Sequence, residues 1–371
     1  MHTRTHFLHN LKHPQLFLVL SSIILLLNSC GIIDGPKERN VRKAQLYYGE
    51  DHLTKVKQLT FTGENARASF SPDNKDIIFQ STRDSLRCDA VFRMRSDGTE
   101  VNQLSTGKGV AAYAVFSPDT KSIMYSSTQK IDYQCPVKPE YSKDYTWLLY
   151  SAYDIYIDDP IGGNSERITK SDVYDGDVTY SPTGDKVIFS SNRSGDMELY
   201  IMNIDGSSVK QLTHADGFDG DASFSHDGNT IVWRASRPKG NKLHDYRYQL
   251  SQGVIRGGNY EIFMMKLNGG KPIQLTRNGA TNFSPSFDPK SNKIIFSSNM
   301  SQKDGRNYDI YILDIKTRKQ ERITYYSGFD GYPVFSSDGK KLLFTSSRNF
   351  RYKAEKNIFI VDWDAAGIYT R

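Results

Sequence analysis

Cysteine is scarce here, three residues in 371, and histidine little more frequent at eight. Half of the histidines fall near the start of the chain, which leaves His52, His214, His226 and His244 for the rest. No Gly-x-Ser-x-Gly elbow and no His-Glu-x-x-His pair occurs, so serine hydrolases and zincins lack their usual sequence support. Charge of one sign is also missing. The net +6 is small and scattered, with no basic stripe of the kind that tracks a phosphate backbone. No segment of the repeated units that fill most of the chain sustains a helical period.

Tyrosine and phenylalanine are abundant instead, 23 and 19 residues, and turns rich in Gly, Asp and Ser recur throughout. "YDGDVTYSPTGDKVIFSSNR" at 174–193 returns as "FDGDASFSHDGNTIVWRASR" at 218–237. The aromatic before the turn marks a register: Phe70, Phe116, Tyr180, Phe224, Phe287 and Phe335, spaced by 46, 64, 44, 63 and 48 residues. Each copy reads as four short strands of β-branched and aromatic residues between turn residues. Four strands per period of roughly 40–50 residues is the pattern of a β-propeller. The expected fold is therefore all-β: a six-bladed propeller of four-stranded antiparallel blades.

Five copies end in a closing strand such as "VKQLT" or "QERIT", while the sixth stops at "DAAGIYTR". "KVKQLTF" at 55–61 precedes the first blade and belongs to none, so it is expected to complete the last blade and close the ring. Closure removes a sheet edge that would invite aggregation.

The chain begins differently. "LFLVLSSIILLL" is an apolar run too short to span a bilayer comfortably, as in a signal peptide. It ends in "LNSC", which resembles the bacterial lipobox. That resemblance makes Cys30 the lipid-bearing mature N-terminus. The expected organisation is a lipoprotein signal over 1–29, a tether over 30–51 and a propeller over 52–371. Two thiols remain, Cys88 and Cys135, in loops of neighbouring blades. In an oxidising compartment they are expected to pair, with two buried free thiols as the alternative.

"SPDNKDIIFQSTR", "SPTGDKVIFSSNR" and "SSDGKKLLFTSSR", each followed by a strand and by "QLT" or "RIT", resemble the repeats of TolB-like six-bladed propellers over roughly 52–363. The resemblance implies a bacterial envelope protein; with an anchor at Cys30 followed by Gly31 rather than Asp, the expected location is the outer membrane, facing the periplasm or surface. It is more specific for fold than for function.

Candidate site residues lie on one face. Asp175, Asp177, Asp219, Asp221 and Asp330 are expected as an acidic ring at the channel mouth, able to hold Ca²⁺, another divalent cation or a partner's cationic group. Arg83, Arg193, Arg237 and Arg348 stand at the blade corners, the alternative being that these charges are turn residues and blade-to-blade ion pairs that fix the ring. Two long insertions, about 129–152 and 238–259, rise on the same face. They suggest a groove with Tyr145, Trp147, Tyr246 and Arg247 as partner contacts. Leu243, Tyr246 and Leu250 have the spacing of a helical stripe, which could equally pack on the protein itself. The function expected is a monomeric binding scaffold for an envelope protein, peptide or glycan, without nucleic acid. The alternative is a propeller enzyme with an axial metal, a polysaccharide lyase or hydrolase.

Overall fold

The computed structural model describes residues 42–84, 86–130, 134–135, 146–303, 305–352 and 355–367. The candidate anchor Cys30 and the candidate contact Tyr145 lie outside them. Within them six antiparallel sheets form blades around an axis, and a seventh sheet has two short strands.

The first blade runs outward through Asn65–Phe70, Asp76–Ser81, Ala90–Arg95 and Asn102–Gln103. Innermost strands of the next four are Ala111–Phe116, Asp175–Tyr180, Asp219–Phe224 and Asn282–Phe287. The sixth blade is Asp330–Phe335, Lys341–Ser346 and Asn357–Trp363, and its outer strand is Leu53–Gln58, supplied from ahead of the first blade. The ring closes as the sequence led us to expect. Leu53 pairs with Trp363 and Gln58 with Phe359, and the Leu59 amide donates to the Ile358 carbonyl at 2.8 Å.

One expectation needs correcting. The stretch read as tether up to residue 51 is not all tether. Arg42–Lys43 adds a fifth strand to the last blade, pairing with Lys57 and Gln58, and Glu50 is buried against Arg348. The polar composition hid this, because the strand pairing and the Glu50–Arg348 ion pair carry no apolar pattern, and apolar contact there comes from Ala44 and Tyr47.

Each blade is pinned at its centre by an aromatic pair. Phe79 faces Phe92, Tyr125 faces Tyr156, Phe189 faces Tyr200, Trp233 faces Phe263, Phe296 faces Tyr311 and Phe344 faces Phe359. Ring centroids lie between 5.6 and 6.0 Å apart. Such pairs stabilise a sheet beyond their buried area, by about 0.5–1.5 kcal/mol each. Neighbouring blades then share apolar layers: Met124 and Ile155 of the second pack with Val178, Val187 and Phe189 of the third.

Strand direction defines two faces. First strands begin, and loops between second and third strands lie, on the face we call the cap face. Turns between first and second strands lie on the opposite, turn face. The insertions interrupt second-to-third-strand loops of the second and fourth blades and join on the cap face. Thr146–Leu148 pairs with Val254–Arg256, and helix α1 (Asn241–Ser251) packs beside them. Cys88 and Cys135 form a disulfide, with Cα atoms 5.4 Å apart, that ties the first insertion to the first blade.

Candidate functional site

The quoted "DGD" motif has a separate cause for each residue. The first Asp is an internal ion partner. Asp175 takes Arg193 at 2.9 Å, Asp219 takes Arg237 at 2.7 Å, and Asp330 takes Arg348 at 2.7 Å. Each pair joins the first strand of a blade to its own second-to-third-strand loop. The Gly lets the preceding aromatic fold back over the strand: a Cβ at Gly176 would meet the Tyr174 hydroxyl at 2.2 Å, and one at Gly220 the Phe218 ring at 2.6 Å.

The third residue faces the axis. In every blade the first strand carries a bulge, where two residues oppose one on the second strand. Its first residue is left-handed each time: Arg67 at φ 51°, Tyr113 at 60°, Asp177 at 52°, Asp221 at 59°, Ser284 at 48° and Tyr332 at 55°. Glycine adopts this conformation at least cost, yet none of the six is glycine. All six line one axial cavity of about 220 Å³. It continues past Ala68, Val178 and Pro333 to Ser69, Thr179, Ser223 and Val334, which are half-exposed towards the turn face.

The predicted acidic ring is thus corrected. Asp175, Asp219 and Asp330 do not converge on the channel, because arginines from their own blades hold them inside the sheets. Arg83 pairs with Asp84 at 3.4 Å. Only Asp177 and Asp221 reach the axis, and they meet a cation already supplied by the protein. The Arg67 guanidinium lies 3.3 Å from Asp221 and 3.6 Å from Asp177. It is stacked between the rings of Tyr113 and Tyr332, 4.4 and 4.8 Å from their centroids.

The two carboxylates are not equivalent. Asp221 also accepts the Ser284 amide at 2.7 Å and faces Arg234 at 3.8 Å. Burial works against its charge, but the two guanidinium groups and that amide hold its carboxyl below the usual range. Asp177 has one oxygen that accepts no hydrogen bond. Burial raises its carboxyl above the usual range, with the neighbouring Asp221 adding to the rise and Arg67 opposing it.

On the cap face the channel is plugged. Arg234 is buried with its guanidinium 4.2 Å from the Trp147 ring and 4.7 Å from Phe218. Trp147 is only 7% exposed, and Tyr246 is 5% exposed with its hydroxyl on Asp196. Both belong to an apolar cluster with Leu250, Ile255, Tyr260 and Phe283. This corrects their assignment as partner contacts. The helical stripe packs inward because the insertions must cover the aromatics at the first-strand entrances. Arg247 stays on the surface, paired with Asp216 at 2.9 Å. A groove of about 620 Å³ does lie beside the third blade, where the two insertions meet, but Leu148–Ser151, Asp172, Asn192 and Leu250–Val254 line it.

A divalent metal does not fit the axial donor set. Two carboxylates straddle a guanidinium, and the described histidines are elsewhere: His214, His226 and His244 are exposed, while His52 bonds Glu321 at 2.9 Å. Among the described residues no three His, Cys, Asp or Glu side chains gather as a metal site.

Six blades, a closed ring and an axial channel define the class: a six-bladed β-propeller. More narrowly, the repeats are TolB-like. The profile of the TolB beta propeller domain matches residues 133–256. Among solved structures, the chain resembles a putative TolB from Agrobacterium tumefaciens, at 18% identity and a TM-score of 0.57 over 82% of this chain and 91% of that one. It also resembles TolB from Acinetobacter baumannii, at 21% identity and a TM-score of 0.52 over 81% of this chain and 64% of that one. An oligogalacturonate lyase in complex with manganese shares the fold too, at 14% identity and a TM-score of 0.52 over 88% and 98%. A search of the curated proteins found no match. No helix among the described residues is long and apolar enough to cross a membrane.

Proposed function

We propose that this chain is a lipid-anchored envelope propeller that acts as a binding scaffold, receiving part of a protein, peptide or glycan partner at the turn-face mouth of its axial channel. One observation carries the reading. At six left-handed positions where glycine is cheapest, the chain places Arg, Tyr, Asp, Asp, Ser and Tyr, all turned into the same cavity. Backbone strain of this kind collects at functional sites. A ring required only for packing would cost less with glycine. The cap closes the other end, so access is from the turn face, and the groove beside the third blade is a second concavity on the cap face.

The enzymatic alternative rests on the fold shared with the lyase, and the two axial carboxylates here face the Arg67 guanidinium in place of a metal. A photo-crosslinking residue at Ser223, tested in envelopes of the producing cell, distinguishes the readings. Binding predicts a discrete adduct that disappears with Asp177→Asn or Arg67→Met. No adduct, together with release of an unsaturated product from a polyuronate, would overturn the scaffold reading.

A further inference from the structure

The sixth blade carries large side chains that its own packing leaves exposed, next to the point where the described chain begins. Phe350 is 54% exposed and Tyr352 is 46% exposed, in the loop between the second and third strands. Their loop rests on the end of the closing strand and the segment that follows it. Asn349 donates to the Gln58 side chain at 3.2 Å, and the Arg351 guanidinium donates to the Phe61 carbonyl. On the same segment the Arg42 guanidinium lies 5.7 Å from the Phe61 ring. Arg42 and Lys43 are both exposed on their short strand.

The sequence just before continues this chemistry. Between Cys30 and Ala44 the chain reads "GIIDGPKERNVRK", with Lys37, Arg39, Arg42 and Lys43 against Asp34 and Glu38. Arg42 is twelve residues beyond Cys30, so a fully extended chain places it no more than about 40 Å from an acyl anchor.

We propose that Phe350, Tyr352, Arg42 and Lys43 form a membrane-resting surface, which lays the sixth blade on anionic lipid headgroups. The inference rests on the lipid anchor at Cys30. Tyrosine settles at the headgroup level, phenylalanine buries at the boundary between headgroups and acyl chains, and basic residues beside an anchor add attraction to anionic lipid. A patch on a second-to-third-strand loop belongs to the cap face, so resting there leaves the turn-face channel mouth directed away from the bilayer. Acylation alone would tether the propeller without fixing that orientation.

The test uses the full chain, processed in cells and reconstituted into phosphatidylethanolamine–phosphatidylglycerol vesicles whose acyl chains carry bromine. Phe350→Trp reports from the patch. Ile161→Trp, exposed at a turn-face position, reports from the opposite end. The patch reporter should shift to the blue and lose emission to the bromine while the Ile161 reporter does not. Arg42→Glu with Lys43→Glu should restore emission at Phe350→Trp. Mass analysis of Cys30 reads the anchor separately. An acylated protein that floats with vesicles while neither reporter is quenched overturns the patch and leaves the anchor standing. An unacylated protein whose patch reporter is still quenched at high lipid overturns the anchor and supports the patch. Equal quenching of both reporters, or none in unacylated protein, overturns the proposed surface.

Discussion

Arg348→Met should be among the most damaging single substitutions in the sixth blade, and the structure supplies the magnitude. Arg348 is 1% exposed, and its guanidinium bridges Glu50 and Asp330, whose side chains are both fully buried. It also reaches the Gln45 carbonyl at 3.4 Å. Removing the cation leaves two carboxylates in a dry site, held only by the Tyr47 and Tyr325 amides on Glu50. Breaking a buried pair in this way costs about 3–5 kcal/mol. The loss also detaches residues 45–50, the segment leading into the closing strand, so the ring opens at its seam. For a domain of this size a loss of that order lowers the melting temperature by roughly 5–8 °C. Urea unfolding checks the free energy, and a cycle with Glu50→Gln checks the cause. Neutralising Glu50 in the Arg348→Met background should recover part of the loss, whereas Glu50→Gln alone should destabilise. If Arg348→Met loses less than about 1 kcal/mol, the range of exposed pairs, the pair is not holding the seam.

Two further predictions follow from other sites. Burial pushes Glu198 up to about 8 from 4.5, with Asp219 and Asp196 adding to the rise. The native state then keeps a proton that the unfolded chain has released, so this contribution is complete below about pH 4.5 and is lost as pH rises towards 8. The full swing is on the order of 4–5 kcal/mol at most. Glu198→Gln should flatten that part of the stability profile between pH 5 and 8, measured by urea unfolding. An unchanged slope would show that Glu198 ionises normally. Cys30→Ser should abolish acyl labelling and release the protein from the membrane fraction, and labelling that persists in the variant would remove the lipoprotein reading.

Much of this architecture was legible because propeller repeats write it several times. The register aromatics, the turn residues and the closing triplets each recur at fixed offsets, so one ambiguous copy is corrected by the next. The orphan strand at 55–61 was visible because it matched five other closing strands. The extra strand at Arg42–Lys43 was not, since two exposed cations carry no strand period. The insertions misled for a physical reason. Trp147 and Tyr246 have the composition of a binding surface, but they seal the axial aromatics, and burial depends on partners far away in sequence.

The axial ring shows most clearly where reading by residue type fails and reading by position succeeds. Choosing aspartates gathered five residues, of which three serve as ion partners inside their blades. Choosing the position three residues before each register aromatic returns Arg67, Tyr113, Asp177, Asp221, Ser284 and Tyr332, the six that share the cavity. The repeat conserves backbone geometry at that offset, because the bulge recurs in every blade. It leaves the side chain free to differ. Positions where a repeat fixes the backbone and varies the chemistry are where a symmetric scaffold acquires an asymmetric site. In this chain the asymmetry is the cation of the first blade set against the carboxylates of the third and fourth. Under the proposed function, a ligand entering from the turn face would meet Arg67 and these two carboxylates flanked by two tyrosine rings, in a direction set by the blade order.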